Sequence, residues 1–369
     1  MADSFFNPNA QKTGILWLAL FLLFFSAIKL YAGDAAAGNI PAGIDNLKVE
    51  GVYYLKYQAG QDYNRFTIGR AYLTAKKKIN GFMSSRITLD AHQDDDGDMK
   101  VRLKYLYADF RFPEFSFITK PHLEFGLVHR TWLDFEEHIN YYRMLDKMYM
   151  ERAGIFNSAD FGFTLQGYFG GEMNKEYQKN VNKKYPGRYG SFAIGIYNGG
   201  GYHAEENNQN KSFEARVTGR PVPDIIPGLQ ISGLLIMGKG NTAGTNNNID
   251  DWQTMAAMLS YEHQYMTVTG TVLNGYGDQK GLWSDEDDYQ GYSFFVEGKP
   301  TRNWRLIGRF DIFDPNKDAA SDAFTRIIGG VGYNFGHHKI LIAEYEGYSY
   351  ETRGNDDDKR FQITKQNFY

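Results

Sequence analysis

Segments of about ten residues in which apolar and polar side chains alternate recur along the chain from residue 47 to its end. In residues 304–311 (WRLIGRFD) the even positions hold apolar side chains or glycine and the odd positions are mostly charged, and residues 101–108 and 213–220 alternate similarly. A period of two gives a strand one apolar and one polar face. Soluble β-sandwiches alternate too, so the number and spacing of the segments decide between the two classes.

The alternating segments number about sixteen, which lies within the even-numbered range of bacterial outer-membrane barrels. We therefore predict an all-β protein, a transmembrane antiparallel β-barrel of about 16 strands that occupies residues 47–369 and carries one long inward-folding loop. The predicted strands are residues 47–59, 63–78, 82–92, 99–111, 121–130, 160–170, 187–198, 211–220, 228–239, 251–263, 264–276, 289–299, 302–313, 323–335, 338–351 and 360–369.

The composition of the 369-residue chain agrees with a barrel. It holds 27 tyrosines, 27 phenylalanines and 40 glycines, but 10 prolines. Membrane barrels carry aromatic girdles at both interfaces, glycine is tolerated where the wall bends, and proline removes a ladder hydrogen bond. The absence of cysteine fits an oxidising envelope compartment, and it excludes thiolate metal sites and cysteine nucleophiles.

The N-terminal apolar run, residues 15–28, is too short for a membrane-spanning helix, which needs about 20 residues. Lys12 precedes the run and a small-residue cleavage pattern ends at Ala32. We therefore predict a signal peptide over residues 1–32, followed by a spacer over residues 33–46. An uncleaved membrane anchor is the alternative.

A signal peptide and a barrel together predict the bacterial outer membrane, with its lipid and lipopolysaccharide as surroundings. The last predicted strand ends at Phe368 and Tyr369, an aromatic end that the barrel-assembly machinery can read. The acidic loops argue against nucleic-acid binding, which requires basic patches on the protein.

Short and long connections alternate along the predicted barrel, as periplasmic turns and outer loops do. The longest covers residues 131–159, and loops of this length in compact folds are usually functional. Asp134 and Glu137 have the capping-box spacing of a short helix. The aromatic and methionine content of the loop favours packing against the barrel, with a surface lid as the alternative. Residues 171–186 break the rhythm, because they are long where a short turn is expected, and they leave the strand count open there.

Six short patterns follow one another in the first half of the chain: FTIGRAYL at 66–73, RITLD at 86–90, KYLYADF at 104–110, LEFG at 123–126, MER at 150–152 and DFGFTLQG at 160–167. Their order resembles that of the phosphate-selective porin O and P family, over about residues 47–200. The resemblance implies a sixteen-stranded porin, usually a homotrimer. It also implies that anions such as phosphate pass through a constriction lined by arginine and lysine.

In such porins the loop after the fifth strand folds into the lumen, so the resemblance makes residues 131–159 the candidate constriction loop. The candidate constriction residues are Glu136, Arg143, Lys147, Glu151 and Arg152. The loop departs from the family's basic character, since residues 131–160 hold six acids and three bases. The ion selectivity of the constriction therefore stays open.

If the apolar positions of each strand face lipid, the residues between them face the lumen, because charge on the lipid face costs about 2–4 kcal/mol at mid-depth. In residues 101–108 this rule places Tyr105 and Tyr107 on the lipid side. It assigns eleven basic residues to the lumen as pore-lining candidates: Arg70, Lys76, Arg86, Arg102, Lys104, Arg130, Arg216, Arg220, Arg305, Arg309 and Arg326. Interior acids are fewer, so the wall predicts a preference for anions. The alternative is that these bases pair with the interior acids and brace a wet interior.

The sequence thus predicts a non-enzymatic channel, a porin for passive diffusion of small hydrophilic solutes, with anions such as phosphate as the expected cargo. No cofactor or metal is implied. Asp94, Asp96 and Asp98 begin like an EF-hand loop, but Met99 and Tyr105 stand where that loop needs glycine and glutamate. Two other classes stay open. A barrel sheath around a multihaem cytochrome would require an open lumen, and an outer-membrane barrel enzyme would require an isolated reactive constellation.

Overall fold

The computed structural model describes residues 46–94, 96–242, 249–336, 339–351 and 358–368. The predicted signal peptide, nearly all of the predicted spacer and the terminal Tyr369 lie outside these residues. Within them the chain forms sixteen strands: β1 (Leu47–Ala59), β2 (Asn64–Lys78), β3 (Met83–Gln93), β4 (Met99–Arg111), β5 (Ile118–His129), β6 (Ala159–Phe169), β7 (Gly190–Tyr197), β8 (Ser212–Gly219), β9 (Leu229–Lys239), β10 (Asp251–His263), β11 (Met266–Tyr276), β12 (Tyr289–Gly298), β13 (Trp304–Asp314), β14 (Phe324–Asn334), β15 (Ile340–Tyr350) and β16 (Lys359–Phe368).

The strands form one closed antiparallel barrel. Each strand pairs with its neighbours in the chain, and β1 closes the sheet by pairing with β16, where Val52 lies opposite Phe368. Closure leaves no strand edge exposed, which is the condition for a sheet in lipid. The predicted barrel of sixteen strands is confirmed, and the predicted and observed strand ends differ by at most three residues.

Large apolar side chains cover the outer surface of the wall. On β13, Leu306 and Phe310 are exposed whereas Ile307 and Arg309 are buried, so the side chains alternate between the two faces. A closed barrel with apolar side chains outward and charged side chains inward is the architecture of outer-membrane proteins. The structure therefore places the chain in the bacterial outer membrane.

The two ends of the barrel differ in their connections. One end carries tight turns such as residues 79–82 and 264–265, and the other carries long loops such as residues 198–211 and 277–288. We term them the short-turn end and the long-loop end. β1 begins and β16 ends at the short-turn end, which faces the periplasm in outer-membrane barrels.

Three short helices accompany the barrel in the described part of the chain. Residues 130–158, termed the inner loop, contain α1 (Leu133–Glu137) and α2 (Tyr149–Arg152). Residues 170–189, termed the insert, connect β6 to β7 and contain α3 (Lys175–Asn180) in place of an extra strand pair. None of these helices has the length or the apolar run needed to cross a bilayer.

The inner loop folds into the barrel and packs against one half of its interior. Its buried side chains, among them Trp132 and Phe156, join inward-facing residues of β9 to β13 such as Ile236 and Trp252 in one cluster. A second cluster joins Met144 and Leu145 to inward-facing residues of β12 to β15. The predicted entry of the loop into the lumen is thus confirmed, and the open part of the lumen lies along β1 to β6.

Candidate solute pathway

Two cavities lie along the open side of the lumen at different depths. The larger, about 780 Å³, opens at the short-turn end and extends inward to Arg86 and Tyr107. The smaller, about 210 Å³, lies nearer the long-loop end between Arg70 and Lys104 of the wall and Arg143 of the inner loop. The wall between the two cavities, which separates the short-turn end from the long-loop end, is the candidate constriction.

Three basic side chains occupy this wall on adjacent strands. Arg70 of β2, Arg86 of β3 and Lys104 of β4 form what we term the cation row. Arg70 and Arg86 are half-buried, while Lys104 is nearly covered and lies 2.5 Å from the Ser158 hydroxyl. Within the described residues, no carboxylate oxygen lies within 4.0 Å of any of the three cations. Direct ion pairs therefore neutralise none of the three, and the guanidinium groups of Arg70 and Arg86 carry their charge at every physiological pH.

Aromatic rings hold the cation row in place. Arg70 lies 4.7 Å from the ring centroid of Tyr72, and Arg86 lies 4.7 Å from that of Tyr105. Lys104 Nζ lies 4.8 Å from the ring centroid of Tyr202. Cation–π contacts orient a cation without cancelling its charge. The row can therefore still attract an anion in the path.

Two β-bulges lie at two members of the cation row, Arg70 and Lys104. On β2, Tyr54 pairs with Arg70 and Leu55 pairs with Ile68, which leaves Gly69 as an extra residue. On β4, Thr88 pairs with Tyr105 and Leu89 pairs with Leu103, which leaves Lys104 as an extra residue. Bulges re-aim side chains in this way and are frequent beside functional sites.

The second bulge overturns one sequence prediction. Strict alternation placed Tyr105 and Tyr107 on the lipid side, but both are buried in the interior, and Leu106 is exposed on the outside instead. The extra residue at Lys104 shifts the alternation by one position, so Lys104 and Tyr105 both face inward.

Four of the five acidic side chains of the inner loop are ion-paired, and Glu136 is the fifth. Arg143 forms a two-pronged ion pair with Glu151, and its Nε lies 3.2 Å from Glu137. Asp146 pairs with Arg152 of the loop, and also with Arg326 of β14 and Arg360 of β16. An inner loop that is acidic by composition therefore presents few unneutralised carboxylates to the path.

Burial and neighbouring groups shift the pKa values of two loop carboxyls in opposite directions. Burial alone would raise the pKa of Glu151, but the adjacent Arg143 guanidinium lowers it to about 2. Burial raises the pKa of Glu136 to about 7, although the Trp132 indole donates a 2.9 Å hydrogen bond to its carboxylate. Glu151 is thus charged at neutral pH, whereas Glu136 changes charge there.

Four of the eleven predicted pore-lining residues are covered. Arg130, Arg216, Arg220 and Arg326 are at most 1% exposed. Arg130 belongs to the inner loop itself, and the other three lie on the wall under the inner loop or the insert, so none of the four lines the open path. Arg216, for example, donates a 3.0 Å hydrogen bond to the Thr131 carbonyl of the inner loop. Alternation identifies the inner face but not which inward residues another segment covers.

Four further predicted residues are ion-paired along the wall, at 2.7 to 3.4 Å: Lys76 with Glu50, Arg102 with Asp90, Arg305 with Glu297, and Arg309 with Asp311. The bracing alternative therefore describes most of the predicted set. Among the predicted candidates that are not covered, the three residues of the cation row have no acidic partner within 4.0 Å in the described part of the chain.

Other side chains of the path escaped the sequence analysis. Lys184 of the insert lines the larger cavity, and Lys56 of β1 and Tyr202 of the loop over residues 198–211 line the smaller. For Lys184 the sequence held one signal, the unexpectedly long connection over residues 171–186. Lys56 lies on an alternating strand, so the alternation rule could have assigned it to the lumen. No local sequence pattern indicates that Tyr202 lies there.

No protein-family model matches the chain, and no curated protein sequence matches it. Solved structures do. A loop L8 deletion mutant of OmpT, an outer membrane protein of Vibrio cholerae, is 14% identical, with 88% of this chain and 99% of that chain covered and a TM-score of 0.59. OmpF of Salmonella typhi, in complex with daunomycin, is 12% identical over 87% of this chain and 97% of its own, with a TM-score of 0.60.

An anion-selective porin from Comamonas acidovorans is similar as well. It is 10% identical, with 88% of this chain and 99% of that chain covered and a TM-score of 0.57. At such identities the likeness is one of fold. The closed sixteen-stranded barrel, its apolar exterior and these structural neighbours together show that the chain is a bacterial outer-membrane β-barrel with the fold of the porins.

Proposed function

We propose that the protein is a porin through which small hydrophilic solutes diffuse passively, anions in preference to cations. The observation that carries the proposal is the cation row on the open side of the lumen, with no acidic partner among the described residues within ion-pair distance. Fixed cations beside a narrow path with low-dielectric walls attract anions more strongly than they would in bulk water.

The charges at the two ends of the path support the same direction of selectivity. Eight basic residues line the larger cavity, among them Lys48 and Lys120, against three acidic ones, Asp109, Glu114 and Glu124. Further acidic side chains lie at the opposite end, in long-loop tips such as residues 285–288. The exposed tips are screened by salt within about 8 Å at physiological ionic strength, whereas charges inside the barrel are screened less. The interior row therefore sets the preference.

Phosphate is our candidate within the class of anions. The ordered sequence patterns that resemble the phosphate-selective porins support it. So does the guanidinium of Arg86, since guanidinium groups match phosphate oxygens in geometry and charge. The fold neighbour from Comamonas acidovorans is itself described as an anion-selective porin.

We also propose that the protein forms homotrimers. One solved structure of the Vibrio cholerae OmpT is of a trimer form. Here, apolar side chains crowd the outer face of the first strands, where Leu55, Ile68, Leu73 and Leu89 line a shallow depression of about 230 Å³. Cross-linking of the purified protein in detergent should then trap three copies, and a cross-linked ladder that stops at the monomer would contradict the proposal.

The two other functional classes fit the structure less well. A sheath around a multihaem cytochrome needs a wide lumen, but the inner loop fills one half of the interior here. A barrel enzyme needs an accessible reactive group. Lys104 and Ser158 do approach as a base and a hydroxyl would, but both side chains are at most 4% exposed.

Liposome swelling tests the proposed diffusion directly. Liposomes that contain the purified protein should swell in isosmotic neutral sugars, and the rate should fall steeply as sugar size increases. Protein-free liposomes are the control. A protein that folds as a barrel but leaves swelling at the protein-free rate for the smallest sugars would refute the proposal.

A further inference from the structure

The insert departs from the short turns around it, because it is a folded element that enters the interior from the short-turn end. The Met173 amide donates to the Pro186 carbonyl at 2.7 Å, which closes the base of the insert, and the Asn174 side chain caps α3. Asn182 is fully buried, and Tyr177 and Tyr185 are nearly so. A loosely held surface turn would leave such side chains in water.

The barrel wall anchors the insert on one side. Arg220 of the wall, just after β8, donates to the Gly187 carbonyl at 3.2 Å and to the Tyr177 hydroxyl at 2.8 Å. The Asn182 amide donates to both carboxylate oxygens of Glu262 on β10, at 3.0 and 3.2 Å. A buried carboxylate is costly unless it is hydrogen-bonded, so the position of Asn182 is closely specified.

The other side of the insert contacts the inner loop. The Tyr185 hydroxyl donates a 2.5 Å hydrogen bond to Asp134, and Lys184 Nζ lies 3.8 Å from the same carboxylate. The Asn182 amide also donates to the His138 carbonyl at 3.0 Å. The Tyr185 ring meets the Phe135 ring edge to face, with centroids 5.0 Å apart. Both ends of α1 are therefore held by the insert.

The shared carboxylate is built to stay charged. Burial alone would raise the pKa of Asp134, but Lys184, His138, His129 and the Tyr185 hydroxyl hold it well below its usual range. His129 in turn contacts Arg86 of the cation row, its Nε2 lying 3.1 Å from the guanidinium. The contacts that hold α1 are thus connected through His129 to the cation row on the barrel wall.

We propose that the insert is a second constriction element, which clasps the inner loop from the short-turn end and thereby sets the size limit of the channel. Asn182 and Tyr185 act as positioning residues, because they hold α1 and do not line the path. The inference rests on the proposed diffusion function, since a size limit has meaning for a conducting barrel.

The test compares a clasp variant, Asn182→Ala/Tyr185→Ala, with a matched control, Lys179→Ala/Lys183→Ala, whose lysines are exposed on the same insert. Folding of each barrel is checked by heat-modifiable migration on gels. Neutral oligosaccharides of increasing length then report the size limit by liposome swelling. The clasp variant should admit sugars that the wild type and the control exclude, and an unchanged limit would overturn the inference.

A second readout does not depend on conduction. Trypsin sites at Arg143, Lys147 and Arg152 lie in the inner loop. Cleavage there should become about tenfold faster in the folded clasp variant, because a lost buried hydrogen bond to a charged acceptor shifts a local opening equilibrium by about that factor. Cleavage at the wild-type rate would overturn the clasp. A wild type that excludes every sugar would instead refute the diffusion function, and proteolysis would still decide the clasp.

Discussion

Arg143 and Glu151 form a two-pronged ion pair within the inner loop, in which Nη2 lies 2.6 Å from Oε1. Both residues line the smaller cavity, opposite the cation row. The pair explains how an acidic side chain of the inner loop can line the proposed anion path, because the Arg143 guanidinium neutralises the Glu151 carboxylate there.

Removal of this arginine should therefore change ion selectivity. Arg143→Ala leaves the carboxylates of Glu137 and Glu151 without their shared partner, and they would then offset the cation row. We expect the reversal potential in a KCl gradient to shift toward the potassium potential. Arg143→Lys keeps the charge and loses the two-pronged geometry, so it should lie between the wild type and the alanine variant. An alanine variant as anion-selective as the wild type would contradict this role.

The stability of the folded inner loop should depend on pH through Glu136. Burial in the folded loop raises the pKa of this carboxyl to about 7. In the unfolded chain a glutamate has a pKa of about 4.3. The folded state thus binds more protons in between, so the stability of the loop falls as the pH rises from about 4 to about 7.

Limited proteolysis of the inner loop measures that dependence. The measured quantity is the cleavage rate of the wild type divided by that of Glu136→Gln at the same pH, so that the protease's own pH dependence cancels. This ratio should increase from pH 6 to pH 8. Glutamine keeps an acceptor for the Trp132 indole and has no charge to bury. A cleavage ratio that stays constant across this range would show that Glu136 does not titrate there.

The start of the inner loop should be the most sensitive point for stability. Glu214 of β8 accepts hydrogen bonds from Arg130 at 2.8 Å and from the Thr131 hydroxyl at 2.7 Å, and Arg130 and Glu214 are fully buried. Glu214→Ala should lower the free energy of unfolding by about 3–5 kcal/mol, because it leaves a buried cation with weaker compensation.

Urea titration in detergent, followed by tryptophan fluorescence, measures this change. Glu214→Gln retains the acceptor oxygen and the shape, and should cost less than the alanine variant. A loss below about 1 kcal/mol in the alanine variant would place the anchor of the loop elsewhere.

Orientation in the membrane gives a further prediction. Trypsin added to intact cells should cut in the long loops, for example after Lys280, and should leave the insert at Lys179 and Lys183 intact. Outer membranes opened by detergent should lose that protection. Cleavage of the insert in intact cells would show that the short-turn end faces outward.

The strands could be predicted closely from the sequence because two surroundings, lipid and lumen, impose the alternation directly on each strand. The bulge at Lys104 could not, since a single extra residue reverses the side-chain direction without any change in local composition. Which inward arginines are accessible was also beyond reach. Arg216 and Arg70 are alike in sequence pattern, and the inner loop covers Arg216.

The insert shows the same limit. Its unusual length was visible in the sequence. Its entry into the interior depends on contacts such as the one between Asn182 and Glu262, two residues that are 80 positions apart in the chain. Contacts of this range are set by closure of the barrel, so local patterns do not contain them.

Reversal potentials in planar bilayers with a KCl gradient test the central claim most directly. The wild type should favour chloride, and Arg70→Ala/Arg86→Ala/Lys104→Ala should lose most of that preference. The matched control Asp90→Asn/Arg102→Gln removes an ion pair from the same wall without a change in net charge, and should behave like the wild type. The wild-type preference should also weaken at 1 M salt, where the Debye length is about 3 Å. A wild type that favours potassium, or a triple variant that still favours chloride as strongly, would contradict the account.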